Sequence, residues 1–472
     1  QLIPGHSKVI SDMGLAYLDD FESTKTNIDI HYPYNWYLAS TPGMFEESTL
    51  SNNVDNGKNR ALMAWYAVDR ILNSEARTTP PNLRGNLESQ SNHYTRQVRE
   101  TELFPNRDID PTGTSLMTLL NLSFYPEERG PYNLDVTGIN PATGKLKNPQ
   151  DRWGGIMRKI ETSDFETANI EYIEFWMMDP FVYGTQNNSG GDLYFNLGDI
   201  SEDILKDGKK SFEHGLPIDN TNQNFETTVW GRIPLTQSTV IAFDNTAGAR
   251  EKQDVGLNGL STEDEFTFPT YKAYVENLTT HLDPAVVTQM QSDPHSPLND
   301  PSGDNYHFYL GRDYDDRNLS ILERYKYYNG TERNSPDAAE AGTEYSTSAT
   351  LAPDIEDINS DNTLNEYEKY FQYKVQLRPE NMQVGTNFIT DLVEASVTLK
   401  NGNTEKVKWY QFKIPIREYT DKVGSIRNFK SIRFVRLFLT GFEKETHVRF
   451  ASLDLVRGEW KTYTKPLAVS AA

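Results

Sequence analysis

Trp153-Gly-Gly-Ile-Met-Arg-Lys-Ile160, a polar break, and then Ile170-Glu-Tyr-Ile-Glu-Phe-Trp-Met-Met-Asp-Pro-Phe181 decide how this chain is read. Written as an extended chain, residues 170–178 put Ile170, Tyr172, Trp176 and Met178 on one face and Ile173, Phe175 and Met177 on the other. Both faces are largely apolar, which suits a strand covered on both sides. Nine residues are too few for a membrane-crossing helix, and Asp179-Pro180 ends the strand because proline cannot donate to a ladder. A Gly190-Gly191 turn leads to a partner strand with Leu193, Phe195 and Leu197 on one face. Two such strands imply a core between sheets.

The pattern recurs near the end of the chain. Ile432-Arg-Phe-Val-Arg-Leu-Phe-Leu-Thr-Gly-Phe442 is followed by Val448-Arg-Phe-Ala-Ser-Leu-Asp-Leu-Val456, with Asn428-Phe429 leading in as Asp164-Phe165 does in the first copy. The expected fold class is therefore mainly β: two jelly-roll-like β-sandwich modules with an irregular, partly helical region between them. Residues 1–245 form the first module, with a helical insertion near 60–73 where Ala61, Trp65, Val68 and Leu72 recur at helical spacing. Residues 246–352 form a linker or insertion with short helices at Tyr271–Leu282 and Leu319–Tyr328, and residues 353–472 form the second module. In that module Phe371, Tyr373, Val375 and Leu377 alternate with polar residues. Val393, Ala395, Val397 and Leu399 do the same before Asn401-Gly402, a strong hairpin signal. The returning strand carries Tyr410, Phe412 and Ile414.

Composition sets limits on function. Of 472 residues 36% are hydrophobic, yet 12% are aromatic, and 46 basic against 68 acidic residues give a net charge of −22. Such a balance lacks the basic footprint of nucleic-acid binding and disfavours docking on anionic lipid. The absence of cysteine points mildly to a bacterial product and excludes cysteine-type zinc sites. No apolar run is long enough for a transmembrane helix. A start at Gln1-Leu-Ile-Pro-Gly5 reads as a piece of a longer precursor.

One stretch matches a chemical motif. Asp357-Ile-Asn-Ser-Asp-Asn-Thr-Leu-Asn-Glu-Tyr-Glu368 places oxygen ligands at the spacing of an EF-hand calcium loop. Asp357, Asn359, Asp361, the Thr363 carbonyl and Glu368 would hold calcium. Asn362 replaces the usual glycine, and the stretch runs into a strand where an EF-hand has a helix. A metal-free Asx-rich turn is the competing reading. The clusters Asp19-Asp20-Glu22 and Asp313-Asp315-Asp316 read as solvated acidic faces. Hydrolase and phosphate-loop signatures are absent, and the eight histidines, His31, His93 and His214 among them, show no ligand spacing. No catalytic residue is assigned.

Longer motifs carry a resemblance. Leu18-Asp-Asp-Phe-Glu22, Trp36-Tyr-Leu-Ala-Ser-Thr-Pro42, Glu128-Arg-Gly-Pro-Tyr-Asn133, Trp153-Gly-Gly-Ile156, Asn169–Phe181, Asp300-Pro-Ser-Gly-Asp-Asn305, Glu356-Asp-Ile-Asn359 and Leu453-Asp-Leu-Val-Arg-Gly-Glu-Trp460 resemble the SprA/Sov family. These are gliding-motility and type IX secretion outer-membrane proteins of Bacteroidota. The resemblance implies a non-enzymatic part of a protein-export translocon, a large β-barrel. This chain would be a region outside the membrane, an extracellular cap at the cell surface rather than on the periplasmic side. Implied partners are the parent protein's barrel, other type IX secretion components and secreted cargo. A carbohydrate-binding surface module is the alternative reading, by analogy of fold.

Overall fold

The computed structural model describes residues 27–106, 115–184, 188–213, 225–235, 243, 253–329 and 353–458. The motif at residues 18–22, His214 and residues 330–352 of the expected linker lie outside them. The strands are β1 (Ile28–Asp29), β2 (Tyr37–Leu38), β3 (Ala61–Tyr66), β4 (Leu120–Arg129), β5 (Trp153–Lys159), β6 (Ile170–Met178), β7 (Gly191–Asp199), β8 (Phe225–Thr227), β9 (Arg232–Pro234), β10 (Lys369–Leu377), β11 (Ile389–Thr398), β12 (Thr404–Pro415), β13 (Asp421–Val423), β14 (Phe434–Thr440) and β15 (Thr446–Arg457).

The mostly β expectation holds, but the strands do not sort into two modules. One seven-stranded antiparallel sheet runs β11-β12-β6-β15-β4-β3, with β1 also on β15; a six-stranded sheet runs β13-β10-β7-β14-β5-β2. Each sheet mixes strands from before residue 200 with strands from after residue 368. The second copy of the repeated pattern is inserted into the first: β14 pairs with both β5 and β7, and β15 pairs with β6. The division into sandwiches at 1–245 and 353–472 is thus corrected to one sandwich. Similar strand pairs satisfy each other's hydrogen-bonding edges as readily as their own, and periodicity does not say which partner is chosen.

Between the sheets Phe175 of β6 lies 5.6 Å from Phe195 of β7, stacks on Phe412 at 4.7 Å and meets Phe450 edge-on at 5.4 Å. Gly154 lies where the two sheets press closely together. A Cβ there would sit 2.9 Å from the Phe124 ring and 3.0 Å from the Met63 Cβ.

Outer faces are covered as well, which is why the strands are apolar on both sides. Trp176 and Met178 pack with Val407, Trp409, Val98 and Leu103, the last two from the segment leading through a short helix, Glu100–Leu103. On the other sheet Trp153, Tyr194, Tyr370 and Phe438 are buried with Ile358.

Two local expectations change. The amphipathic helix near 60–73 is instead β3, every residue of which is buried, followed by a 3-10 turn at Arg70–Asn73. Six consecutive apolar residues covered on both sides carry no period that separates a strand from a helix. Pairing of β3 with β4 shifts between Ala61 and Leu62, which face Arg129 and Tyr125, so Pro126 sits in a bulge where proline is tolerated. The middle region does contain the expected helix, at Pro269–His281, and a shorter one at Ile321–Arg324 closed by a Ser320/Glu323 capping box. Tyr271, Tyr274 and Leu278 pack into the main core, so this region is part of the body.

Candidate functional site

The acidic loop read as a calcium site lies at one end of the β7–β10 ladder, where Asp199 faces Lys369. Chain leaving β7 and chain entering β10 therefore meet there, and they carry the same tripeptide: Glu202-Asp203-Ile204 and Glu356-Asp357-Ile358.

The two tripeptides act alike. Each aspartate closes its own loop: Asp203 accepts the amides of Asp207 and Gly208 at 3.1 and 2.9 Å, and Asp357 accepts those of Asp361 and Asn362 at 3.0 and 2.9 Å. In both loops the third and fifth residues after the aspartate have positive φ: Lys206 (56°) and Gly208 (74°), Ser360 (59°) and Asn362 (64°). Asn362 thus adopts the left-handed conformation that its side chain tolerates.

Each glutamate reaches into the opposite loop. Glu356, fully buried, accepts the amides of Ile204 (2.7 Å), Leu205 (3.1 Å) and Ser211 (2.8 Å). Glu202 accepts those of Asn359 (3.2 Å) and Asn365 (3.3 Å). Backbone bonds from Glu202 to Asn365, Glu356 to Ser211 and Glu213 to Asp354 complete the clasp. Carboxylates here do the work of strand partners, pairing amides that would otherwise be buried without acceptors.

The expected calcium ligands are only partly brought together. Asp357, Asn359, Asp361 and Thr363 share one turn, but their groups face one another. The Asn359 side chain accepts the Asp361 amide at 2.8 Å, and Asp361 accepts the Thr363 amide at 2.8 Å and the Thr363 hydroxyl at 2.5 Å. Lys210 and Arg433 add cations 3.5 and 2.9 Å from Asp357 and Asp361.

Glu368, the expected twelfth-position ligand, points elsewhere. It receives both terminal nitrogens of the fully buried Arg436, at 3.1 and 2.9 Å, and the Ser201 amide at 3.0 Å. Arg436 also donates to Asn196 at 3.0 Å and Ser40 at 3.2 Å. A fork bound on both prongs needs no further charge. The donor set that the spacing suggests is not assembled in this geometry, and no group of three or more His, Asp or Glu among the described residues is disposed to hold a metal.

Burial raises the clasp's acids. Glu202 is pushed up to about 7 by burial, against the pull of the Asn359 and Asn365 amides and with Asp357 and Asp361 adding to the rise. Burial, with Asp203 nearby, lifts Asp207 to about 6. Glu356 rises through burial and the neighbouring Asp203 and Asp207. Asp361 goes the other way: burial would raise it, and hydrogen bonds from Thr363 and Asn359 hold it below the usual range. The acidic residues 313–316 form a surface helix turn in which Asp315 binds the buried Arg324 at 2.6 Å.

The repeated Glu-Asp-Ile is the sequence signal of the clasp, whereas the calcium spacing describes only one of its two loops. Residues 273–472 match a family model described as a motility related/secretion protein, SprA_N. Over these residues the chain is similar to that motility and secretion family. No curated protein matches the chain. The matched segment supplies β10–β15 and one loop of the clasp, while β1–β7 and the other loop come from earlier residues hydrogen-bonded into the same two sheets. No helix among the described residues is long and apolar enough to cross a membrane.

Proposed function

We propose that this chain is a non-enzymatic structural region of a type IX secretion outer-membrane translocon, on the extracellular side of its barrel. The observation that carries the reading is the match of residues 273–472 to a motility and secretion family. The sandwich suits such a part. Its halves are tied by β12–β6, β15–β6, β10–β7 and β14–β7 pairing, so it would act as one body beside moving cargo. Its partners would be the barrel of the parent protein and other components of the export machinery.

The test uses the absence of cysteine in this chain. Val384 is 52% exposed and accepts a probe without disturbing the core. Intact cells carrying Val384→Cys in the parent protein are treated with a membrane-impermeant maleimide and compared with the unsubstituted strain. Labelling of intact cells supports the extracellular placement. Labelling only after the outer membrane is permeabilised overturns it. Export of a folded cargo in a strain lacking residues 27–458 is the second readout, and normal export would remove the translocon role.

A further inference from the structure

A cleft on the outer face of the seven-stranded sheet runs against the charge of the molecule. It consists of two adjoining hollows of about 290 and 370 Å³ that share Arg96, Gln97 and Leu116. Among the described residues, the charged ones lining them are Arg70, Arg96, Arg99, Lys400, Arg449 and Asp69. Five cations to one anion is a strong local reversal in a chain of net charge −22. Tyr32 and Tyr34, edge to face at 5.1 Å, stand on one wall, with Tyr32 45% exposed.

Under the cleft lies a buried cation whose hydrogen-bond acceptors are neutral. Arg449 on β15 is 2% exposed. Its guanidinium donates to the Asn121 side chain at 2.8 Å, to the Arg96 carbonyl at 2.9 Å and to the His93 carbonyl. All three acceptors are neutral. Each terminal nitrogen keeps a second N–H beyond these bonds. Its charged neighbour is another arginine: Arg96 is held by Glu102 at 2.8 and 2.5 Å, which occupies that carboxylate. Burial, with Arg96 adding repulsion, pushes Arg449 down to about 9. Guanidinium nevertheless keeps its proton at neutral pH, so Arg96 and Arg449 share the single carboxylate of Glu102 and the site keeps a net positive charge beside the cleft. On the far side Lys400 is satisfied by the Gln90 side chain at 2.7 Å and the Asn73 carbonyl, again neutral acceptors. Asp69, the one acid among the described lining residues, already accepts the Tyr309 hydroxyl at 2.6 Å.

We propose that this cleft binds a carboxylate-bearing ligand, with Arg70 and Arg99 at its rim making charge-assisted contacts and Arg449 beneath supplying the field that holds it. Planar forks of this kind match carboxylate oxygens two at a time. The carboxylate comes from a small free acid or from an acidic peptide, and the two are separated by the choice of probe.

Isothermal titration calorimetry at low ionic strength is run on the whole chain with glutarate and, separately, with a six-residue polyglutamate peptide. One-to-one binding of either probe, weakened about tenfold by Arg70→Gln/Arg99→Gln and unchanged by Lys145→Gln, supports the site. Lys145 is a surface cation away from the cleft, 53% exposed. Binding of glutarate assigns a small acid, and binding of the peptide alone assigns a chain. Arg99 is exposed, so Arg99→Gln alone keeps the test valid if the double variant misfolds. No binding of either probe, or binding that Arg99→Gln leaves unchanged, overturns the proposal.

Discussion

Glu356→Gln tests the clasp where it is tightest. In the native loop pair the carboxylate accepts three amides, from Ile204 and Leu205 on one oxygen and from Ser211 on the other. Glutamine has the same shape but a single acceptor oxygen. If that oxygen keeps Ile204 and Leu205, the new NH2 faces the Ser211 amide donor to donor; the reverse placement orphans two amides. Leaving one buried donor unpaired costs about 1–3 kcal/mol, and the misplaced NH2 adds a second unmet group. Loss of a buried charge, already strained by Asp203 and Asp207, offsets part of this. The expected destabilisation is about 2–4 kcal/mol. Urea unfolding measures the total, and hydrogen exchange locates it: the amides of Ile204, Leu205 and Ser211 should lose protection while those of β6 keep theirs. A variant with the parent's unfolding midpoint and unchanged protection at Ser211 would refute the clasp as a stabilising element.

The raised acid at Glu202 makes part of the stability pH-dependent. Its folded-state value of about 7 lies above an unfolded value of about 4.3, so the folded state holds a proton that the unfolded state has lost. That contribution is full below about pH 4.3 and disappears as pH rises through 7, about 4 kcal/mol in all. Urea midpoints at pH 5 and pH 8 should converge in Glu202→Gln relative to the parent, and parallel profiles would count against it. Trp176→Ala should destabilise by about 3–5 kcal/mol, because the ring is 8% exposed and meets Phe104 edge-on at 6.1 Å; parent-like melting would show that the outer face is not core. Gly154→Ala should cost about 1–3 kcal/mol by thermal melting, since its Cβ would press on Phe124 and Met63, and a neutral result would mean the sheets are further apart than described.

Much of the strand content was legible because burial leaves a direct mark on composition. β5, β6 and β7 fall where the two-sided apolar stretches place them, and the β11–β12 hairpin turns at Gly402, whose φ is +89°. The partners of those strands were not legible. Ile173, Phe175 and Met177 say that β6 is covered, yet nothing local says that Ile414, Phe412 and Tyr410 lie opposite them. At the site, the Asx pattern gave the closed turn at Asp357 and the left-handed Asn362. It could not give the destination of Glu368, which is settled by Arg436, 68 residues further on. Local spacing fixes what a loop can do with its own amides, and a buried cation from another strand decides what its last carboxylate does.

The central claim is that the two repeated strand patterns interlock in one sandwich, and the lack of cysteine makes it directly testable. Glu174 of β6 and Lys413 of β12 are register partners, with their side-chain charges 3.6 Å apart near the surface. Opposed residues of an antiparallel pair stand about 4.5–5.5 Å apart at Cα, within disulfide reach. Glu174→Cys/Lys413→Cys is oxidised and digested, and the peptides are identified by mass spectrometry. The β6–β12 pairing should yield a disulfide-linked peptide containing positions 174 and 413, absent from either single variant. Two free thiols under the same oxidation, in a protein that is otherwise folded, would contradict it and restore two separate sandwiches.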